Sequence, residues 1–454
     1  QIEMYKILNK RYVFCWKSQS EITEFFASKR PTSHKELLVI FRIKKAVKAG
    51  FLHLLSANFL SQSLGFLSLL VVSKILAAEE VGAIKIIQSY LAIGQTIACV
   101  GIPSAIIKYC AEDREPEERQ YIFQKGLLIS GAASLVMVVL LALFAHLNLI
   151  SQDEIVVKWL PLYALTIIPN VCFSVGLVYL QAIKSFKRMA KVQSMMKVVA
   201  VVFICCATYL LGMPGYIWIN IATMAVSALI VIRYIRIKHM SGKDYSLPIG
   251  FFFLSRMSLY ASVVMVVGNY VDMILLDHFI DDRALVGYYA LATIFIMIGT
   301  QFVASVQSFL TPYFSEKAHD RSWVWKEMIR CQRYLSLTML PVCGGIYLVA
   351  MMLVRYYYGA EYVFVLTVLS VLLIQLWLHT TYSILGCTLL AINKVQYNLV
   401  TAIAYLCIKF SLAYFFIVHY GIMGLIYAQL IAEIPIIALE YILAYKVLHE
   451  PMTV

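Results

Sequence analysis

Apolar runs of about 20 residues recur from residue 51 to residue 445, the length an α-helix needs to cross a hydrocarbon core about 30 Å thick. No other feature narrows the fold as much. Backbone in lipid must satisfy its own N–H and C=O groups, so such a chain is confined to membrane-crossing helices. Charged residues make up only 14% of the sequence against 61% hydrophobic, whereas soluble domains carry about 25% charged residues. The expected fold class is an all-α polytopic membrane protein.

The runs divide into about twelve transmembrane spans, roughly 51–73, 84–107, 124–147, 158–182, 193–212, 215–235, 254–277, 286–312, 332–354, 362–390, 396–418 and 421–445. Alternate connections are basic. Arg42, Lys44, Lys45 and Lys48 precede the first span, and Lys184, Lys187, Arg188 and Lys191 follow the fourth. Arg233, Arg236, Lys238 and Lys243 follow the sixth, and Lys317, Arg321, Lys326 and Arg330 the eighth. The intervening connections, such as "HLNLISQDE", "LGMPGY" and "DHFIDDRA", are short and poor in Lys and Arg. The positive-inside rule then places both termini in the cytoplasm. The net charge of +13 is accounted for by these connections, and a nucleic-acid partner is not needed to explain it.

Seven of the ten cysteines (Cys99, Cys172, Cys205, Cys206, Cys343, Cys387 and Cys407) fall inside apolar runs, where a thiol behaves as a small hydrophobe. No CxxC pair and no Cys/His zinc spacing occurs. The chain opens on Gln1 rather than Met, with no cleavable signal-peptide pattern. Residues 1–30 carry no functional signal. Ser33 and Glu36 form a capping-box pattern followed by Leu37, Leu38, Ile40 and Phe41 and then basic residues, which predicts a short amphipathic helix on the cytoplasmic leaflet within a tail of residues 1–47.

The two halves echo each other. "SKILAAEEVGAIKI" closes the first span and opens the second, and "LDHFIDDRALVGYYA" does so for the seventh and eighth, with Gly82 and Gly287 205 apart. Pro103 and Pro312 are 209 apart, as are Ala182 and Ala391, and Gly215 and Gly421 are 206 apart. Four landmarks in one order at nearly one spacing predict two homologous six-helix lobes, residues 48–240 and 241–454, related by an axis along the membrane normal.

The phrases "EEVGAIK…GIPSAIIKY" and "VDMILLDHF…VGYYALA" resemble the polysaccharide flippases of the multidrug/oligosaccharidyl-lipid/polysaccharide exporter superfamily, over residues 48–446. The motifs are loose: glycines, a proline and one acidic position. The resemblance implies a V-shaped pair of lobes whose spans 1, 2, 7 and 8 line a cavity open alternately to each side. It also implies a substrate, an undecaprenyl-diphosphate-linked oligosaccharide such as an O-antigen, capsule or exopolysaccharide repeat unit, carried across a bacterial inner membrane. Membrane lipids, H+ or Na+, and polysaccharide polymerase or assembly proteins are the further partners it implies; no cofactor and no metal is expected.

Polar residues inside the spans mark candidate sites. Asn58, Ser61, Gln62, Gly65 and Ser68 share one face of the first span; Lys85, Gln88, Gln95 and Thr96 form a similar stripe in the second, and Thr300, Gln301, Ser305 and Ser308 in the eighth. Such stripes line a wet cavity or a helix contact. The cations available to a diphosphate are Lys85, Lys74 and Arg256, although Lys and Arg near span ends also snorkel to the interface. Lys409 and Glu433 fall at similar depth near the midplane, where an ion pair between them spares each its isolation, and Asp272 lies roughly 7 Å further out with Asn269 on its face. The resemblance implies, from some relatives, a coupling-cation site in the second lobe among helices 7, 11 and 12; Lys409 departs from an all-oxygen site, which disfavours sodium and leaves proton coupling open. A structural salt-bridge cluster is the competing reading of these residues. His379 shares a face with Gln375 and Tyr382 and suits either a proton shuttle or hydrogen-bonded packing.

No GxxxxGK[ST] loop, HExxH, GxSxG or paired acidic catalytic motif is present. An enzyme is therefore not expected, and the connections between spans are too short to house a glycan-processing site. The alternatives are a multidrug cation antiporter of the same superfamily and, further off, a membrane-embedded polymerase or acyltransferase.

Overall fold

The computed structural model of the chain describes residues 51–112, 114–235, 245–316, 320–392 and 394–449. The expected N-terminal tail with its amphipathic helix, the lobe boundary near residue 240 and the Asn58 side chain lie outside the described residues.

The described chain is helical throughout. The helices are α1 (Phe51–Ile75), α2 (Ala78–Ala98), α3 (Ile102–Ala111), α4 (Pro116–His146), α5 (Glu154–Ala164), α6 (Ile167–Ala182), α7 (Phe186–Ile235), α8 (Phe251–Phe279), α9 (Arg283–Glu316), α10 (Arg321–Leu353), α11 (Val363–Thr380), α12 (Ser383–Ala391) and α13 (Val395–His449). Two pairs are single spans bent in the middle: α2 and α3 meet at 45°, α5 and α6 at 48°. A third span breaks at Thr381–Tyr382, between α11 and α12.

Helices α7 and α13, 50 and 55 residues long, would each measure more than twice the bilayer core if straight. Both fold back instead. Val192 and Met196 pack on Val231, and Tyr405 reaches Glu433; each pair stands at opposite ends of a hairpin. The turn is a glycine in both: Gly212 with φ 64° and ψ −145°, Gly421 with φ 60° and ψ −145°, a region that side chains do not tolerate. With each long helix counted twice, the described residues supply the twelve expected crossings.

These turns correct the fourth landmark of the repeat. Gly421 corresponds to Gly212, not to Gly215, and the spacing becomes 209, the value of the Pro and Ala landmarks. The neighbouring pair obeys it too. A Cβ on Gly215 would strike the Ala207 carbonyl and Leu211, and one on Gly424 the Phe416 carbonyl and Tyr420, each contact displaced by 209 residues. Two glycines lie three residues apart in each turn, which is how the sequence reading took the wrong one.

Helices α1–α7 pack among themselves, as do α8–α13, and the two groups meet where α2 crosses α8 and α9, α3 crosses α8, and α1 touches α9. Chemistry distinguishes the two ends of the bundle. The near end carries the described chain ends and the Lys/Arg-rich connections; the far end carries the turns at 76–77, 147–153 and 280–282. Outward faces are apolar and exposed, with Leu135, Val139, Val349, Met352, Ile434 and Ile442 among them, as a lipid-facing surface requires.

At the far end the groups touch through glycine. A Cβ on Gly82 would lie 3.0 Å from the Arg283 carbonyl, and one on Gly287 would overlap the Ala78 carbonyl. Each glycine thus meets the residue four positions before its counterpart, so this crossing sits on the axis relating the halves.

Candidate functional site

Between the two helix groups lies a cavity of about 1100 Å³ bordered by both. Its first-group wall carries amides and ammonium groups among apolar side chains. Gln62, Gly65 and Ser68 of α1 and Lys85, Gln88 and Gln95 of α2 face it, with Asn170, Gln193 and Asn220 from α6 and α7. Gln88 donates to the Tyr216 hydroxyl at 2.9 Å, which orients its carbonyl. Lys85 and Lys197 both border the cavity, and among the described residues neither has an anionic or hydrogen-bonding partner. The Lys197 ammonium rests against α1 where Gly65 leaves room: a Cβ there would stand 3.3 Å from Nζ.

The second-group wall holds acids. Lys409 Nζ donates to Asp272 Oδ2 at 2.7 Å and to the Gly268 carbonyl at 3.2 Å, and stands 5.7 Å from the Tyr405 ring centre. Tyr289 of α9 faces Asp272 and accepts from Gln429 at 2.8 Å. Glu433 has a different shell. Its Oε1 accepts from Gln375 Nε2 (3.2 Å) and the Tyr405 hydroxyl (3.3 Å), and its Oε2 from the Tyr382 hydroxyl (2.7 Å).

The expected Lys409–Glu433 pair is therefore replaced by Lys409–Asp272. Depth counted in residues along each span says nothing about direction around each helix. Helix α8 packs beside the first arm of α13 and presents Asp272 to Lys409, while neutral donors from α11, the α11–α12 break and the first arm of α13 already occupy Glu433.

The break that delivers Tyr382 is supported from α10 and α13. The Gln332 amide donates to the Thr380 carbonyl and its Oε1 accepts from Ile384 N at 2.9 Å, and the Tyr441 hydroxyl donates to the Thr381 carbonyl at 2.8 Å. Backbone groups freed by the unwound turn are thereby satisfied.

Polar contacts join the two groups at the far end. Arg283 Nε lies 2.8 Å from Asp153 Oδ2, and Arg283 Nη1 donates to Asp277 Oδ1 at 3.2 Å. Asp277 also accepts from the Tyr90 hydroxyl at 3.0 Å and from Ser151 Oγ at 2.8 Å. On another side Ser73 Oγ and the Tyr358 hydroxyl are 2.8 Å apart, and Lys74 Nζ donates to the Tyr358 carbonyl at 3.2 Å. At the near end Ser104 and Ser258 hydroxyls stand 2.5 Å apart and Tyr109 donates to the Ile249 carbonyl at 3.1 Å.

Of the twelve residues singled out in sequence, Gln62, Lys85, Gln88, Gln95, Asn269, Asp272, Lys409 and Glu433 border the cavity. Lys74 instead belongs to the far-end contacts, and Arg256 and Gln301 are not among the cavity's lining residues. Arg256 is exposed; on α9 it is Thr300, one position earlier, that turns inward. The sequence reading missed Lys197: it began span five at residue 193, which left Lys197 close to the end of that span. Helix α7 begins at Phe186, so Lys197 is already three turns deep. Tyr289 and Gln429 were also missed; an aromatic and an amide within apolar runs carry no signal of their own.

The sequence profile of a family described as "Polysaccharide biosynthesis protein" matches residues 47–317. Among solved structures, the lipid II flippase MurJ in an inward closed conformation superposes with a TM-score of 0.72 at 18% identity, over 86% of this chain and 87% of that one. An inward-facing multidrug resistance MATE family transporter of the MOP superfamily gives 0.68 at 15% identity, over 85% and 94%. A MOP superfamily transporter from Pyrococcus furiosus, described as having a binding pocket of reverse polarity, gives 0.61 at 14% identity, over 90% and 97%. Among curated proteins no sequence matches the chain.

Proposed function

The chain belongs to the polysaccharide biosynthesis protein family, and from that premise we propose that it is a flippase for an undecaprenyl-diphosphate-linked oligosaccharide, the repeat unit of a surface polysaccharide. The near end faces the cytoplasm of a bacterium and the far end the outside of its inner membrane, as the basic connections require. The lobes comprise residues 48–240 and 241–454, and they carry the substrate by alternating access to their shared cavity.

One observation supports this above the others: Lys85 and Lys197 border the cavity from the same lobe without anions of their own among the described residues. A diphosphate carries the charge they lack, and the amides of Gln62, Gln88 and Gln95 supply hydroxyl-rich glycan with donors and acceptors. An organic-cation antiporter would want free acid on that wall. The substrate's binding shifts the balance between inward- and outward-open states only by as much as its affinity for the two differs.

The reading is tested in a strain lacking the gene. That strain accumulates the lipid-linked unit and loses surface polysaccharide; the intact gene restores both, and the Lys85→Ala/Lys197→Ala double variant does not. Two charge-assisted contacts at about 1.5–3 kcal/mol each correspond to at least a hundredfold loss of affinity. Full restoration by the double variant at normal abundance refutes the assignment of the cationic wall, and normal surface glycan in the deletion strain, when no second flippase is present, refutes the function.

A further inference from the structure

The second-lobe core holds more carboxylates than cations. Asp272, Glu433 and Glu440 are 6%, 1% and 6% exposed, and Lys409 is the one buried cation among the described residues. Asp272 takes that cation. Glu433 is left with three neutral donors. Glu440, seven residues further along α13, has one buried oxygen without a hydrogen-bond partner. Glu433 thus has no fixed counter-charge, and a mobile cation is the partner that its burial leaves open. A metal ion is the poorer alternative for Glu433, since its neighbours aim N–H and O–H groups at the carboxyl. Among the described residues no three His, Cys, Asp or Glu side chains converge on a metal-sized space.

A route for that proton is laid out in the hydrogen bonds. The Tyr382 hydroxyl lies 2.7 Å from Glu433 Oε2 and 2.9 Å from His379 Nδ1. His379 is partly exposed and borders the central cavity, whereas Glu433, on the same border, is shielded from solvent. The helix break between α11 and α12 gives this geometry: His379 ends one segment and Tyr382 starts the next, with the two ring centres 4.9 Å apart.

We propose that His379, Tyr382 and Glu433 form a proton relay that loads and unloads the buried Glu433 carboxyl from the water of the cavity. To load it, a cavity proton binds His379 Nε2, the Nδ1 proton passes to the Tyr382 oxygen, and the Tyr382 hydroxyl proton passes to Glu433 Oε2. Neutral imidazole, phenol and a carboxylic acid result, and the reverse sequence returns the proton. The other groups around Glu433 are Gln375 on α11, Tyr405 and Lys409 on the first arm of α13, Asp272 on α8 and Glu440 on its own arm. Lys409 is committed to Asp272, and Tyr405, which also borders the cavity, accepts from Gln375 at 3.5 Å; among the described residues Tyr382 is the neighbour of Glu433 whose hydroxyl also meets an imidazole. The relay deepens the transport reading by naming the proton as the coupling ion, and rests on that reading only for the use made of the proton.

The test needs no substrate. Purified full-length protein in lipid nanodiscs is stepped from acid to alkaline pH while infrared difference spectra record protonated carboxyl groups and a dye records released protons. The wild type shows a carboxylic-acid band that Glu433→Gln removes and Glu440→Gln leaves in place. Tyr382→Phe keeps the ring but breaks the chain, and slows release of that proton roughly a hundredfold, the lower range for a positioned transfer group; His379→Gln does the same. Glu433→Asp, which keeps an acid at the site, retains a shifted band and guards against loss of fold. A Glu433→Gln spectrum identical to wild type overturns the proton site, and release at the wild-type rate from a folded Tyr382→Phe variant overturns the relay. Neither result bears on whether the cavity carries a lipid-linked glycan.

Discussion

Arg283→Gln is expected to open the far end of the molecule. Arg283 belongs to the second lobe and holds Asp153 of the first at 2.8 Å and its own Asp277 at 3.2 Å; its side chain is 19% exposed, theirs 6% and 0%. Breaking a buried pair from one side costs about 3–5 kcal/mol. Two features reduce that figure here: the guanidinium is partly solvated, and Asp153 also caps α5 by accepting from Ile155 N (2.7 Å) and Val156 N (3.3 Å), so its charge retains a partner. A loss of about 2 kcal/mol remains, the range of one charge-assisted hydrogen bond. If the pair exists only while the far end is closed, that loss shifts the closed-to-open ratio about thirtyfold. Spin labels at Leu149→Cys, 66% exposed in the wild type, and Asp281→Cys, on a background freed of native cysteines, read the separation of the lobes there. Arg283→Gln should add or enlarge a population at longer distance, and Arg283→Lys should show less of it. A distance distribution unchanged by Arg283→Gln would show that the pair contributes nothing to closure.

Other substitutions follow from the same geometry. Lys409→Met strands the buried Asp272 and should cost about 3–5 kcal/mol, seen as a lower melting temperature in detergent; adding Asp272→Asn should recover most of it, and additive losses would contradict a direct pair. Gly212→Ala and Gly421→Ala each force a side chain into backbone geometry reserved for glycine and should cost about 1–3 kcal/mol. Their melting shifts should match each other, and a large disparity would argue against equivalent turns.

What could be read in advance followed from one-dimensional quantities. Run length gave the crossings. Fixed spacing gave the repeat, so that Pro103/Pro312 and Ala182/Ala391 needed no structure. Depth is also one-dimensional: counted along the spans, it set Lys409 and Glu433 at similar depth and Asp272 roughly 7 Å further out. Pairing depends on azimuth and on which helices are neighbours, and there the sequence offered Lys409 two acids with no means to choose. Lys197 was hidden by a misplaced helix start. Tyr382 and His379 show a third limit: they are three apart in sequence, which suits a shared helical face, but it is the break between them, held by Gln332 and Tyr441, that turns the tyrosine onto Glu433. Nothing in "HTTYSILG" announces a break, since no proline or paired glycine marks it.

The Gly82–Gly287 crossing has the form of an isologous contact, the kind made when two identical subunits meet across a two-fold axis. In a true dimer every substitution is made twice, so a lysine placed in the cavity by one subunit brings a second from the other. Here both copies lie in one chain, and the symmetry is kept at the close approach, where backbone meets backbone, and at the paired glycine turns. Away from the axis each copy is free to differ. The cavity can accordingly be an anion-seeking wall facing a proton-bearing one, a polarity that a symmetric pair of subunits could not possess.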